Sequence, residues 1–296
     1  MRIVAAALVV VLGAVAGAAQ TRAHDRAFWV ALRAADFRLA PNEAVLPLAL
    51  EATSLLGSTD PELRDDIGYE AIATWVYREQ RLDADGLNQL RATLTVNARR
   101  GLGEATGDGL FLRSFSTLAL AVLAAEDLQR PFLDAQQFDG LVDLGIEALG
   151  REHDLRGYVP GKGWGHATAH CADLLKFLAR SHRLRPEQQS RMVDAIAERL
   201  RSAGQVFVWG EDARLAAALT TIARRSDADP APFLGWFKRL EGDHTALWSG
   251  PFDPVRYVPV RAQLNALNAF GADLDAASGP ETGIRTALRS LRAKAQ

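Results

Sequence analysis

Residues 111–125 read FLRSFSTLALAVLAA. Apolar side chains face nearly every direction around this run, and a helix of that kind must be enclosed by neighbours on most sides. Amphipathic helices elsewhere in the chain can supply the cover. Asp60-Pro61-Glu62 is a helix start: an N-cap, proline at the first helical position and an acid in the first turn. Leu63, Ile67, Ile72, Trp75 and Val76 then form a helical apolar stripe. Pro186-Glu187 opens another helix, with Met192, Val193, Ile196 and Leu200 on one face. Pro280-Glu281 opens a last one near the C-terminus. Strand alternation between hairpin turns is not sustained, and QVFVW (205–209) reads as a connector.

The enclosed helices recur. Polar-flanked apolar helices begin near residues 62, 110, 165, 210 and 256, about 45–55 residues apart, and each gap holds one further amphipathic helix. This predicts an all-α chain, a single α-helical repeat domain over residues 24–296, built as a HEAT/armadillo-like stack of helical hairpins (an α-α superhelix). An irregular all-α bundle is the alternative, because spacing is loose and no strict consensus repeats.

Of the 296 residues, 48% are hydrophobic and 24% charged, ordinary values for a chain with a real core. Net charge is −2 and the charges are interspersed, so nucleic acid is not an expected partner. The chain begins MRIVAAALVVVLGAVAGAAQTRA. A basic residue, an apolar run of about 15 residues and small residues predict a cleaved signal peptide over residues 1–19. The run falls short of the roughly 20 residues of a membrane span. Export to the periplasm or medium is expected, with no stable span left after cleavage. Cys171, the one cysteine, lies in an apolar helical setting and reads as a core residue.

One segment carries chemistry-bearing residues: GYVPGKGWGHATAHCAD, residues 157–173. Four glycines make a sharply bending loop, and a helix is expected from Trp164–Gly165 onward. At about 100° per residue, His170 falls about 40° and Asp173 about 20° from His166, on one face beside the apolar one. Two histidines four apart, with Asp173 as a third ligand, could hold a divalent metal. The zincin motif is excluded, since Ala167 stands where its glutamate belongs. Two readings remain beside metal: a metal-free binding or catalytic site, or imidazoles that brace the glycine loop. Trp164 is the tryptophan best placed to be a ligand platform.

The string RGYVPGKGWGHATAHCADLL resembles the signature of the DUF2785 family, bacterial domains of unknown function. LRDDIGYEAIATWV (63–76), FLRSFSTLALAVL (111–123), WGEDARLA (209–216) and YVPVRAQLNAL (257–267) resemble it too, in the same order. The likeness spans about residues 40–295 and implies an all-α, repeat-like fold and no established activity.

These segments coincide with the starts of the recurring helices. In a regular stack they converge on one concave groove lined by Arg64, Asp65, Asp66, Tyr69, Arg113, Ser116, Lys162, Trp164, His166, His170, Glu211 and Asp212. Such a groove suits a small polar ligand or a peptide. Each residue also has a plain role: first-turn acids favoured by the helix dipole, arginines pairing across hairpins, serines bonding back to carbonyls. Two functions follow: binding or scaffolding without covalent chemistry, or a metal-assisted hydrolase using His166 and His170. No other cofactor is implied.

Overall fold

The computed structural model describes residues 24–276 and 283–295, so the expected signal peptide and the Pro280-Glu281 helix start lie outside the described residues. The helices are α1 (Arg26–Ala34), α2 (Val45–Leu55), α3 (Glu70–Ala73), α4 (Ala84–Arg99), α5 (Gly109–Gln129), α6 (Ala135–Arg151), α7 (Ala167–Ala179), α8 (Pro186–Ser202), α9 (Glu211–Ala223), α10 (Ala231–Trp248), α11 (Pro254–Ala276) and α12 (Gly283–Lys294). The chain is all-α apart from a small hairpin of β1 (Tyr158–Val159) and β2 (Gly163–Trp164).

Two rows organise the helices. In one, α5 packs on α7, α7 on α9 and α9 on α11; in the other, α6 packs on α8 and α8 on α10. We call them the inner and outer rows. The inner row carries the apolar helices. In α5, Leu110, Phe111, Phe115, Leu120 and Leu123 are all buried, as its sequence requires. This helix alone among the described residues is long and apolar enough to cross a membrane, but 83% of its apolar window is buried inside the protein. One buried cluster runs from Trp29 in α1 to Leu291 in α12. Each fully enclosed leucine or phenylalanine contributes about 1.5–3 kcal/mol. Cys171 is part of that cluster, and burial pushes its thiol up to about 12, so it is an inert core residue.

The helix expected from residue 62 forms, with a wider bore at both ends. Glu62–Tyr69 and Thr74–Arg78 are π-helical and flank α3. The five-residue step from Ile67 to Ile72, both buried, suits the π form better than an α stripe. Gly68 lets α2 approach, since a Cβ there would stand 2.9 Å from the Leu55 Cβ. The second correction is the hairpin. The glycine segment makes two short paired strands, with Gly161 and Gly163 at φ +75° and +78°, and α7 begins at Ala167.

Each passage from an outer to an inner helix falls at one edge of the molecule, and each return falls at the opposite edge. The first edge gathers residues 56–61, 100–108, 152–166, 203–210 and 249–253. It also presents the N-termini of the inner helices, where the predicted polar residues sit.

Candidate functional site

The hairpin is the centre of the first edge, and buried charges fasten it. Arg64 is fully buried. It donates to the carbonyls of Ser58 and Lys162, each at 2.8 Å, while its guanidinium lies 4.2 Å from the Phe111 ring centroid. Its Nε stands 2.6 Å from Asp65 Oδ1, an ion pair without hydrogen-bond geometry. Burial lowers the Arg64 guanidinium and raises the Asp65 carboxyl from their ordinary values. Arg113 holds Glu152 in a two-pronged pair, at 2.7 and 3.1 Å, both side chains being enclosed. Asp154 is buried and held by Arg156. Arg156 also reaches the Gly107 carbonyl at 2.7 Å. Lys162 pairs with Asp108 at the surface.

His166 is the residue before α7 and adopts the left-handed region, φ 55°. That conformation aims its ring across the edge. Its Nε2–H donates to the Trp209 carbonyl at 2.9 Å, with Glu211 Oε1 at 3.7 Å, and its ring stacks on Trp164. Glu211, fully enclosed, accepts from the Trp209 N–H at 3.0 Å. A Cβ on Gly157 would overlap the Trp209 Cδ1 and stand 2.7 Å from Glu211 Oε1, so only glycine fits beneath that indole. Asp212 accepts from the Ala213 N–H at the first turn of α9.

One turn further, His170 leaves the edge. The Ser114 hydroxyl gives its only proton to the Gly165 carbonyl, so it accepts from His170, and Nδ1 carries the ring proton, 2.8 Å away. Nε2 is then a bare acceptor. Burial, with the charge of His166 second, pushes the His170 pKa down to about 3, so the ring is neutral across the ordinary pH range. Ser114 therefore braces the loop onto α5 and does not bond back along its own helix.

His170 lines a cleft of about 370 Å³ on the face of the inner row turned away from the outer one. Tyr69, Asp173, Lys176, Phe177 and Arg214 share it, with apolar side chains of α5 as the floor. Asp173 is buried between two cations: Lys176 Nζ lies 2.7 Å from Oδ1, and Arg214 binds Oδ2. Burial, and then the negative charges of Glu70 and Asp173, raise the Tyr69 hydroxyl above its ordinary value and keep it a donor.

The predicted groove residues thus divide. Tyr69 and His170 enter the cleft with Asp173. Arg64, Asp65, Arg113, Lys162, Trp164, His166, Glu211 and Asp212 belong to the first edge. Asp66 pairs with Arg33 on α1 at 2.9 Å. Ser116 is enclosed in α5, where its hydroxyl meets no partner among the described residues. Lys176 was not expected, nor was the pairing of Arg214 with Asp173. Lys176 was legible as the i+3 partner of Asp173, but Arg214 reaches Asp173 from 41 residues away.

As metal ligands, His166, His170 and Asp173 are poorly gathered. The two rings are 5.8 Å apart, one nitrogen of each is spent on a protein partner, and both Asp173 oxygens are held by cations. Among the described residues, no three His, Cys, Asp or Glu side chains are grouped as such a site needs.

A family model described as "Protein of unknown function (DUF2785)" matches residues 100–257, more than half of the chain. It covers the hairpin, α7 and the start of α9, and leaves out the helix that supplies Arg64 and Tyr69. No curated protein and no solved structure matches. By that match over the very segments that build the edge and most of the cleft, the chain belongs to the DUF2785 family.

Proposed function

We propose that this chain is an exported helical-repeat protein, its hairpins stacked in a HEAT-like superhelix, that binds a small polar ligand or a peptide in the cleft at His170 and Asp173 without covalent chemistry. Several hydrogen bonds between neighbouring hairpins span 46–50 residues, such as Arg199 to the Leu149 carbonyl and Gln205 to the Leu155 carbonyl. That recurrence supports the stacked reading.

One observation carries the binding reading. A neutral, buried imidazole leaves Nε2 as an acceptor on the wall of an open cleft whose other polar groups are the Tyr69 hydroxyl, a buried carboxylate and two cations. A ligand carboxylate would exchange with Asp173 for Arg214 and Lys176, and a ligand N–H or O–H would donate to Nε2. The cleft size is within the range of small-molecule sites.

Thermal unfolding with glutamate, succinate and triglycine as probes tests this. A ligand at about 100 times its dissociation constant adds about 2.7 kcal/mol of stability, and Arg214→Ala is expected to remove that gain. If no probe shifts the parent, and Arg214→Ala melts with it, the binding reading fails. Metal content of tag-free protein tests the hydrolase alternative. One equivalent of zinc, manganese or iron, lost in His166→Ala/His170→Ala, would replace the binding reading.

A further inference from the structure

Exposed apolar side chains concentrate on the first edge, in two clusters. The first is Tyr158, Trp164 and Trp209 around the hairpin, with Val208 exposed at 73%. The second is the passage from α10 to α11, where Trp248 is 58%, Phe252 57% and Val255 79% exposed. These rings are ordered against one another: Trp248 and Phe252 stack at 6.1 Å, and Tyr257 closes on Phe252 at 5.5 Å. The opposite edge shows Tyr77, Leu128 and Leu234, scattered singly, among the described residues.

The charges beside the second cluster are unbalanced in one respect. Most arginines of this protein sit in ion pairs or donate to carbonyls. Arg256, between Val255 and Tyr257, and Arg261, which lines a cavity with Trp248 and Tyr257, do neither among the described residues. The nearby acids are largely committed. Asp253 accepts from the Val255 N–H at 2.9 Å, and Glu241 takes Lys294 at 2.6 Å. Asp243 is the exception and lines the same cleft as Arg201 and Arg256.

We propose that this edge rests on an anionic lipid surface, with Phe252 and Val255 dipping into the interface, Trp248 and Tyr257 at headgroup level, and Arg256 and Arg261 meeting lipid phosphates. The partner is fluid and flat for a reason on the molecule. The two aromatic clusters are separated by the cleft of Arg201, Asp243 and Arg256. A rigid protein partner would have to complement rings and charges together, while a bilayer need only receive the protruding tips. The inference stands apart from the ligand cleft, which opens on the inner-row face.

The test is sedimentation of the full chain with large vesicles of phosphatidylcholine alone and of an equimolar phosphatidylcholine–phosphatidylglycerol mixture. Binding to the mixed vesicles, with a blue shift of tryptophan emission that Trp248→Phe diminishes, is expected. Phe252→Ser/Val255→Ser should weaken it about tenfold or more. Arg256→Gln and Arg261→Gln should each weaken it about fivefold and flatten its salt dependence. These positions are exposed, so folding should survive, and Tyr77→Ser on the opposite edge should bind like the parent. No sedimentation with either vesicle overturns the proposal. So does binding that Phe252→Ser/Val255→Ser leaves unchanged. A dimer by light scattering that this double variant dissociates would assign the edge to a second copy instead, and also overturns it.

Discussion

The two edges of this molecule solve the same task differently. At the return edge, an arginine of one turn reaches back to the carbonyls of the previous turn. Arg81 donates to the Ala40 carbonyl, Arg130 to Leu82, Arg183 to Leu133, and Arg225 to Ala179 and Ser181. One residue type meets bare carbonyls at each step, so that edge is uniform. At the first edge the passages 100–108, 152–166 and 203–210 are rich in glycine and fastened by buried carboxylates and a histidine, in pairings that differ from one passage to the next. The comparison teaches that repetition serves stacking, and that departure from repetition marks where the surface has been shaped for something else.

The largest effect that would sharpen this contrast is expected at the Arg113–Glu152 pair. Glu152→Ala leaves a buried guanidinium without its counter-charge and should cost about 3–5 kcal/mol in urea unfolding. Gly157→Ala forces a Cβ against the Trp209 ring and should cost about 1–3 kcal/mol by the same measurement, with a change in tryptophan emission. At the return edge, Arg225→Ala frees carbonyls of the preceding turn and should cost about 1–3 kcal/mol. If Gly157→Ala proves neutral while Arg225→Ala is severe, the return edge is the structural one and the first edge is a loosely held surface.

A smaller effect is expected from His170. Its folded pKa, about 3, lies below the unfolded value near 6.5. Between those values the unfolded chain binds a proton that the folded chain refuses. Its contribution to stability is therefore full above about pH 6.5 and declines as pH falls toward about 3, by at most about 1.4 kcal/mol per pH unit. His170→Gln should flatten that slope in unfolding measured from pH 7 to pH 4. The smallest effect belongs to Lys162→Ala, which breaks an exposed pair with Asp108 and should change stability by less than about 0.5 kcal/mol.

The outcome for individual residues shows what kind of information a sequence holds. Proline at 186 and the acid after it mark the start of α8 because capping is decided within one turn. The enclosure of α5 follows from composition alone. The histidine spacing placed His170 and Asp173 on one face, and they do share a cleft. The π-helical ends of the helix at residue 62 were not read, because a five-residue step looks like a lapse in a four-residue pattern. The hairpin was missed because two-residue strands have no alternation to detect.

Local pattern was enough to read that the chain is all-α, where the inner-row helices and α8 begin, which helices are enclosed, and that the glycine–histidine segment is exceptional. Those properties depend on caps, propensity and periodicity, which act over a few residues. Tertiary structure alone decided that the polar helix starts divide between a laced edge and a separate cleft. It also set the proton on His170 Nδ1 and brought Arg214 to Asp173. These rest on contacts between residues 41 to 98 apart in the chain, and an interaction that reaches across hairpins leaves no local pattern to read.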